Sequence, residues 1–179
     1  ILTIIIPVFN EEDNLLQLSN ALSHFLDHAM VNTKVLFVND GSTDNSQQII
    51  EKECARHSLF NYIQFQKNQG LSAALKAGID HVDTRLVGYM DADLQTDPMD
   101  FNLLLEYSNT YTLVNGIRSN RKDNFGKRIS SLIANRFRRL FTKDGMDDTG
   151  CPLKVIKTEY AKRIPMFKGL HRFLPAMIL

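Results

Sequence analysis

Two acidic residues stand two positions apart directly after a short apolar run. Asp91, Asp93 and Gln95 follow the apolar residues 86–90. On an extended strand end, residues i, i+2 and i+4 point the same way, so these three side chains can share one face. Neighbouring carboxylates repel unless a cation lies between them, and hard oxygen ligands suit Mg²⁺ or Mn²⁺ with a diphosphate completing the coordination. The other interpretation, a turn that caps the next helix, suits Asp97 better than Asp91 or Asp93.

A second polar cluster follows the apolar residues 35–38. Asp40 stands where a strand is predicted to end, and its carboxylate can accept a hydrogen bond from a nucleobase N–H. Asp44 is better placed to cap the helix that follows. Taken alone, the stretch 38–44 favours an ordinary turn over a binding site.

The spacing of apolar residues predicts alternating strands and helices around these clusters. The predicted strands are 2–8, 35–38, 62–65, 86–90 and 112–117, and the predicted helices are 14–29, a segment ending near 56, 71–82 and 98–107. Such alternation with short loops predicts parallel strands, right-handed crossovers and helices on both faces of a sheet. In these sheets ligands bind beyond the carboxyl ends of the strands, where the polar clusters 10–12, 39–42, 91–93 and 115–118 fall.

Common nucleotide loops are absent from the sequence. The first predicted strand runs into Pro7-Val8-Phe9-Asn10-Glu11-Glu12 without a glycine, whereas a dinucleotide fold needs GxGxxG there so that the backbone can approach a pyrophosphate. No GxxxxGK[ST] loop occurs either. The sequence therefore argues against NAD enzymes and P-loop ATPases.

Composition places the chain among ordinary globular proteins. Its 179 residues are 44% hydrophobic and 23% charged, which predicts one domain rather than a disordered, collagen-like or disulfide-rich chain. Two cysteines, Cys54 and Cys151, form no CxxC cluster and are predicted to be reduced thiols. No apolar run reaches the roughly 18–20 residues that span a bilayer. Residues 173–179 end the chain while still apolar, which predicts that the natural protein continues beyond them.

Charge is distributed unevenly along the chain. Residues 1–110 contain six basic and fifteen acidic residues, whereas residues 111–143 contain nine basic residues and one acidic residue. The basic segment predicts an anionic partner such as phosphates, a membrane surface or nucleic acid. Within it, residues 125–142 have the pattern of a basic amphipathic helix, which can lie in a membrane interface. A helix that packs on the core with solvated arginines is an equally good interpretation.

Three motifs, in this order and spacing, resemble one enzyme family. Residues 7–12, residues 38–44 (Val-Asn-Asp-Gly-Ser-Thr-Asp) and residues 91–98 (Asp-Ala-Asp-Leu-Gln-Thr-Asp-Pro) resemble family 2 glycosyltransferases of the GT-A fold. More closely, they resemble polyprenyl-phosphate glycosyltransferases, the group that includes dolichyl-phosphate mannose synthase, and residues 116–118, 148–151 and 171–175 fit that group too. The resemblance covers essentially the whole chain. It implies an α/β, Rossmann-like, mostly parallel sheet with helices on both faces and a C-terminal acceptor-side lobe.

The resemblance also implies a role for each group of site residues. It implies nucleotide binding by Pro7, Asn10, Glu11, Glu12, Asp40 and Asp91; coordination of Mg²⁺ or Mn²⁺ by Asp91, Asp93 and Gln95; acceptor-phosphate binding by Lys127, Arg128 and Ser131; and catalysis by Asp93, Asp148, Arg118, His171 and Arg172. The single domain 1–179 would then divide into a nucleotide-sugar half, to about 118, and an acceptor-side lobe, about 119–179. Where many relatives have Ser/Cys-Gly-Phe-Arg, this chain has residues 151–154 as Cys-Pro-Leu-Lys, which weakens the transfer of any role to Lys154.

The resulting hypothesis is an inverting, metal-dependent transfer of one sugar from a GDP- or UDP-sugar to a polyprenyl phosphate at the cytoplasmic face of a membrane. The chain has no tryptophan and so lacks the Gln-x-x-Arg-Trp signature of processive synthases. An acceptor phosphate is already anionic, so catalysis would depend on positioning and on neutralising the leaving diphosphate. Asp148 can be a base or can orient the sugar.

Two alternatives remain open at this point. A family 2 enzyme with a saccharide acceptor, in cell-surface glycan synthesis, needs a working base such as Asp148. A non-catalytic nucleotide-sugar-binding domain needs no metal chemistry, and the intact Asp91, Asp93 and Gln95 argue against it. A nucleic-acid partner is not expected, because the basic segment lacks interleaved aromatic residues for base stacking.

Overall fold

The structure of the protein is a computed structural model. It describes residues 1–117, 150–166, 169 and 177. Outside the described residues lie the predicted helix 125–142 and seven predicted site residues, namely Arg118, Lys127, Arg128, Ser131, Asp148, His171 and Arg172. The roles assigned to them stay predictions.

Strands and helices alternate along the first two thirds of the chain, as predicted. In chain order the described elements are β1 (Leu2–Val8), α1 (Glu12–His28), β2 (Thr33–Asn39), α2 (Ser46–Arg56), β3 (Phe60–Gln64), α3 (Leu71–His81), β4 (Leu86–Tyr89), a 3₁₀ turn (Pro98–Asp100), α4 (Phe101–Leu105), β5 (Leu113–Asn115), β6 (Lys154–Lys157) and α5 (Thr158–Arg163). The predicted helix 98–107 is thus split, with Pro98 in the first turn of a 3₁₀ segment and the α-helix ending at Leu105.

The described strands form one mostly parallel sheet. Their order across the sheet is β3-β2-β1-β4-β6-β5. The central strand β1 pairs in parallel with β2 and β4, and β2 pairs in parallel with β3. This arrangement confirms the predicted α/β architecture. It also brings the carboxyl ends of β2, β1 and β4 side by side at one edge of the sheet.

The sequence predicts 112–117 as its last clear strand, and the structure has one further strand after it. The strand β6 lies between β4 and β5 and runs antiparallel to both. It has four residues, with a lysine at each end, so its composition carries little strand signal of its own. Pairing on both edges supplies its backbone hydrogen bonds, and this depends on residues about forty or more positions away in the sequence.

The hydrophobic core consists of two layers because helices cover both faces of the sheet. Successive residues of β1 alternate between the layers: Ile4 and Ile6 pack beneath α1, and Ile5 packs beneath α3. The helix α1 buries Leu15, Leu18, Leu22 and Phe25 at helical spacing, and each such side chain contributes about 1.5–3 kcal/mol when fully buried. A strand buried on both faces is a continuous apolar run, which is why β1 was predicted with its correct bounds.

A buried carboxylate joins α1 to α2. The Glu53 side chain on α2 is buried and accepts a hydrogen bond from the Ser19 hydroxyl on α1. Its other oxygen accepts a hydrogen bond from Arg56 Nη1 at 3.0 Å. A buried charge is tolerated only when it is paired and hydrogen-bonded, and Glu53 meets both conditions. The two helices therefore have a polar link as well as an apolar one.

Candidate active site

The three sequence motifs meet around one cleft. It has a volume of about 300 Å³ and lies where β1, β2 and β4 end at the same edge of the sheet. Of the predicted site residues, Pro7, Glu11, Asp40, Asp91 and Asp93 line it. The full lining is Pro7, Val8, Phe9, Glu11, Asp40, Asn68, Gly70, Leu71, Asp91, Ala92 and Asp93. Residues from four separate parts of the sequence thus face one space.

Asp40 anchors a wall of this cleft. Its side chain is buried, and its two carboxylate oxygens accept hydrogen bonds from the backbone N–H groups of Gln69 at 2.7 Å and Gly70 at 2.8 Å. Each carboxylate oxygen has a second lone-pair direction, so this arrangement leaves acceptor capacity for a ligand donor. The sequence predicts a nucleobase contact for Asp40 but does not predict these two hydrogen bonds. The structure assigns Asp40 a further task, which is to shape the loop before α3.

Gly41 allows the loop to approach this closely. Its φ is +69°, a conformation that side chains rarely adopt. A Cβ built on Gly41 would lie 2.4 Å from the Lys67 carbonyl carbon and 2.6 Å from the Asn68 nitrogen. The Asp-Gly pair therefore acts as a unit: the aspartate binds the loop, and the glycine leaves room for it.

Asn10 and Glu12 tie the first motif to the second. Asn10 Oδ1 accepts a hydrogen bond from the Thr43 N–H at 2.8 Å, and the Asn10 N–H donates to Ser42 Oγ at 3.0 Å. Glu12 Oε2 accepts from the Asn45 N–H at 2.8 Å. Neither residue lines the cleft. Their predicted contact with a nucleotide stays a prediction, and their visible contacts hold two loops together.

Asp44 does cap the region where α2 begins. Its Oδ1 accepts a hydrogen bond from the Ser46 N–H at 2.9 Å, and its Oδ2 accepts from the Glu12 N–H at 3.1 Å. Burial acts to raise the pKa of Asp44, but the hydrogen bonds from Ser46 and Glu12 outweigh it, so the pKa is lowered. The carboxylate therefore stays ionised while it binds the helix start. This local role matches the sequence prediction.

The segment 91–95 is not an extended strand end. The strand β4 stops at Tyr89, and Leu94 has a φ of +59° in the left-handed region. Asp91, Asp93 and Gln95 therefore do not follow the side-chain alternation of an extended strand, which the sequence prediction assumed. Gln95 is exposed and is not among the cleft residues, and its N–H donates to Asp93 Oδ1 at 3.1 Å. A left-handed leucine costs about 1–2 kcal/mol, a strain found mainly at functional turns.

The same segment ends in a local cap. Asp97 precedes the 3₁₀ turn, and its Oδ1 accepts a hydrogen bond from the Met99 N–H at 2.9 Å. This confirms that Asp97, rather than Asp91 or Asp93, has the capping role. Asp91 and Asp93 remain as carboxylates that face the cleft.

Beneath Asp91 lies a buried tyrosine that the sequence prediction did not include. The Tyr89 hydroxyl donates a hydrogen bond to Asp91 Oδ1 at 2.5 Å, and the tyrosine is only 7% exposed. Burial raises the pKa of the Tyr89 phenol far above its ordinary value, and the charge of Asp91 adds to the shift. The phenol therefore stays protonated and acts as the donor.

Asn68, Gly70 and Leu71 are also cleft residues that the motifs did not indicate. Gly70 has a φ of +92° and precedes α3, which begins at Leu71. The Gly70 N–H at this helix start donates to the Asp40 carboxylate, so the start of α3 and Asp40 together form this wall of the cleft. The only sequence signal was the glycine before the predicted helix 71–82.

The donor set of the cleft suits a metal that is bound together with a diphosphate. Among the described residues, no three or more His, Cys, Asp or Glu side chains are arranged to hold a metal ion. Mg²⁺ in proteins often binds through one or two carboxylates plus the phosphates of a substrate. Asp91 and Asp93, which both face the cleft, fit that mode of binding. Such a site would take the metal and the nucleotide diphosphate as one unit.

Two further clefts lie at the opposite edge of the sheet. They have volumes of about 440 and 510 Å³ and share the residues Val82, Asp83, Thr84 and Arg85 before β4. Both are larger than the cleft at the carboxyl ends of the strands, but none of the three motifs reaches them. Their position at the starts of the strands is not where parallel sheets bind their ligands.

Sequence comparison identifies the family that has these motifs. The profile of a family described as Glycosyl transferase family 2 matches residues 3–164. The chain belongs to glycosyl transferase family 2. The family predicted from the three motifs is therefore confirmed.

A curated protein is similar to nearly the whole of this chain. This family 2 domain is 34% identical over 182 residues to a protein named dodecaprenyl-phosphate galacturonate synthase from Rhizobium johnstonii. The aligned region covers 99% of this chain and 54% of that protein. The chain thus spans about half the length of the relative.

Solved structures share the fold of this domain. Glucosyl-3-phosphoglycerate synthase from Mycobacterium tuberculosis, in complex with Mn²⁺, UDP-glucose and phosphoglyceric acid, aligns with a TM-score of 0.76 at 16% identity, over 97% of this chain and 62% of that one. A mannosyltransferase from Pyrobaculum calidifontis, in complex with GDP-Man and Mn²⁺, aligns with a TM-score of 0.67 at 20% identity, over 93% and 47%. These likenesses confirm the predicted GT-A fold.

The predicted membrane contact was assigned to residues 125–142. Within the part of the chain that the structure describes, no helix is both long and apolar enough to cross a membrane.

Proposed function

We propose that this family 2 domain transfers a single sugar from a nucleotide diphosphate sugar to a polyprenyl phosphate, with inversion and with help from Mg²⁺ or Mn²⁺. The observation that carries the proposal is the cleft itself, where Asp40, Asp91 and Asp93 meet beside the start of α3. The carboxylates of Asp91 and Asp93 suit a metal that is bound together with a diphosphate. The Mn²⁺ complexes of the two structural neighbours support the same donor chemistry.

The residues of the cleft would bind the donor in two parts. Asp40 and the loop 68–70 that it anchors form the wall on which the base and ribose would lie. Asp91 and Asp93 would hold the metal, which would neutralise the charge that develops on the leaving diphosphate. The attacking acceptor oxygen would then need only to be held in line with the breaking bond.

The lipid-phosphate acceptor is supported by the relative and by the charge pattern. The relative is named for a dodecaprenyl-phosphate product. Residues 111–143 of this chain contain nine basic residues and one acidic residue. Basic side chains can offset the repulsion between an anionic acceptor and an anionic donor, and Arg118, Lys127 and Arg128 are the proposed contacts. Ser131, Asp148, His171 and Arg172 complete the proposed acceptor side.

Donor binding can be tested by calorimetry with UDP and with GDP, each in the presence and absence of Mn²⁺. We expect Asp93→Ala to weaken Mn²⁺-dependent binding strongly, because it removes one of the two cleft carboxylates that we propose hold the metal. Asp83→Ala is the matched control, since Asp83 is a fully solvated carboxylate at the opposite edge of the sheet. Equal affinities in wild type and a folded Asp93→Ala variant would remove the metal assignment.

The acceptor can be tested by sugar transfer with the natural full-length protein. A short polyprenyl phosphate and a panel of saccharides would compete for a radiolabelled UDP- or GDP-sugar. We expect label in the lipid fraction and a large loss of it in Arg128→Ala, with donor affinity almost unchanged. Label in the saccharides alone would favour the alternative, a family 2 enzyme of cell-surface glycan synthesis. Donor binding without any transfer would favour a non-catalytic domain.

A further inference from the structure

Tyr89, whose hydroxyl binds Asp91, is itself held in place because it belongs to a strand. Tyr89 is the last residue of β4, and its ring packs in the apolar layer beneath α3 with Ile5 and Leu75. A ring fixed in a close-packed layer has little freedom to turn. Its hydroxyl reaches Asp91 Oδ1 at 2.5 Å, two residues further along the chain. One oxygen of Asp91 is therefore tied to the core, while the residue itself faces the cleft.

A buried lysine stands directly across from this tyrosine. Lys154 on β6 is the register partner of Tyr89 on β4 and is only 2% exposed. Its Nζ lies 5.8 Å from the centroid of the Tyr89 ring, within the range of a cation–π contact. The same Nζ donates a hydrogen bond to the Cys151 carbonyl oxygen. The ammonium group thus links the loop before β6 to the ring of Tyr89.

These contacts form one continuous path from β6 to the cleft. Lys154 contacts the Tyr89 ring, and the Tyr89 hydroxyl binds Asp91. Burying a lysine is costly, so a close-packed apolar residue would have been the more stable choice at position 154 if packing were its only task. The buried ammonium group of Lys154 thus lies beside the ring whose hydroxyl binds a carboxylate of the cleft.

We infer that Tyr89 is a positioning residue for the transfer reaction, and that Lys154 acts through it. The inference rests on the proposed function, in which Asp91 holds the metal and the diphosphate. By fixing Oδ1, the tyrosine sets the angle at which the carboxylate meets its ligand. Groups that orient a metal-binding carboxylate in this way affect metal affinity or activity by about 10–100-fold when they are removed.

The test uses Tyr89→Phe, which keeps the ring and removes only the hydroxyl. Calorimetry would measure the affinity of the chain for UDP and for GDP in saturating Mn²⁺, and for Mn²⁺ in saturating nucleotide. We expect both affinities to fall by about 10–100-fold. The control is Tyr62→Phe, because Tyr62 is 42% exposed on β3 and is not among the cleft residues. A thermal unfolding curve for each variant separates a loss of binding from a loss of fold.

The part played by Lys154 is tested by a double-mutant cycle. Lys154→Met keeps the length of the side chain and removes its charge, and Lys157→Met on the same strand is the matched control. If Lys154 acts through the tyrosine, Lys154→Met weakens binding in the wild-type chain but adds no further loss to Tyr89→Phe. Lys154→Arg, which keeps the cation, is expected to restore much of the affinity.

The outcomes separate this inference from the function on which it rests. If wild type binds UDP and GDP equally well with and without Mn²⁺, the metal assignment and the inference both fail. If wild type requires Mn²⁺ and Asp91, and folded Tyr89→Phe binds as wild type does, the inference alone is wrong. Independent losses from Tyr89→Phe and Lys154→Met would overturn the role given to Lys154.

Discussion

At the scale of single residues, Asp40 shows how one side chain can serve both fold and site. Both of its oxygens accept backbone hydrogen bonds from the loop before α3, yet it lines the cleft. The motif predicts that Asp40 lies at the end of the second strand and that its carboxylate accepts a hydrogen bond. It did not predict the loop partners, because Gln69 and Gly70 lie about thirty residues further along and the contact exists only once β1, β2 and α3 have packed.

We predict that Asp40→Asn lowers the free energy of unfolding and weakens the attachment of the loop that forms a wall of the cleft. An amide presents one acceptor oxygen in place of two, so one of the N–H groups of Gln69 and Gly70 loses its partner. Hydrogen bonds to charged groups contribute about 1.5–3 kcal/mol, and urea unfolding should show a loss of that size. Asp27→Asn is the control, because Asp27 is exposed on α1 and should change stability by less than about 0.5 kcal/mol. Equal stability of Asp40→Asn and wild type would contradict the anchoring role.

A second residue-scale prediction compares two glycines with positive φ. Gly41→Ala places a Cβ 2.4 Å from the backbone of Lys67, whereas Gly70→Ala meets nothing within 4 Å. Both substitutions strain a backbone with positive φ by about 1–3 kcal/mol, but only Gly41→Ala also places a Cβ against the loop backbone. We therefore expect Gly41→Ala to lower the free energy of unfolding by clearly more than Gly70→Ala in the same urea titration. Similar losses in the two variants would show that the close approach does not matter.

At the scale of elements, the strands and helices that the sequence predicts correctly are those with a local apolar pattern. The strand β1 is apolar on both faces and was predicted with its correct bounds, and α1 was predicted within two residues because its apolar side chains recur at helical spacing. The strand β6 was not predicted, since four residues with lysine at both ends become a strand only between β4 and β5. The turn at 91–95 was predicted as extended because one left-handed residue, Leu94, has no sequence signature.

The link between α1 and α2 provides a prediction at this scale. The Ser19 hydroxyl donates to the buried carboxylate of Glu53, and Ser19 itself is fully buried. Ser19→Ala leaves one oxygen of a buried charge without its donor, and we expect a loss of about 1–3 kcal/mol in urea unfolding. Ser23→Ala, one turn further along the same helix face but outside this link, serves as the control. An unchanged midpoint for Ser19→Ala would show that the packing of α1 on α2 does not depend on the polar link.

At the scale of the whole molecule, the cleft is assembled by the sheet order rather than by any one motif. The strands β2, β1 and β4 are neighbours, so residues at or just after the end of each strand meet, although they stand at positions 7–9 and 11, 40 and 91–93. Sequence reasoning could predict this meeting, because parallel strands with right-handed crossovers leave few alternatives. It could not predict which side chains turn inward: Asp91 and Asp93 face the cleft, whereas Asn10, Glu12 and Gln95 do not line it.

This assembly predicts that metal and nucleotide stabilise the whole chain only when both are present. Asp91 and Asp93 offer two carboxylates to a metal, and the diphosphate supplies further ligands, so each partner completes the site of the other. A ligand at a hundred times its Kd adds about 2.7 kcal/mol to the free energy of unfolding. In a domain of this size that amounts to a rise of roughly 5–11 °C in the midpoint of thermal unfolding. We expect that rise with Mn²⁺ plus UDP or GDP, and only small shifts with Mn²⁺ or nucleotide alone. A nucleotide that raises the midpoint equally without Mn²⁺ would show that the cleft binds it through the loop 68–70 and the start of α3, without a metal at Asp91 and Asp93.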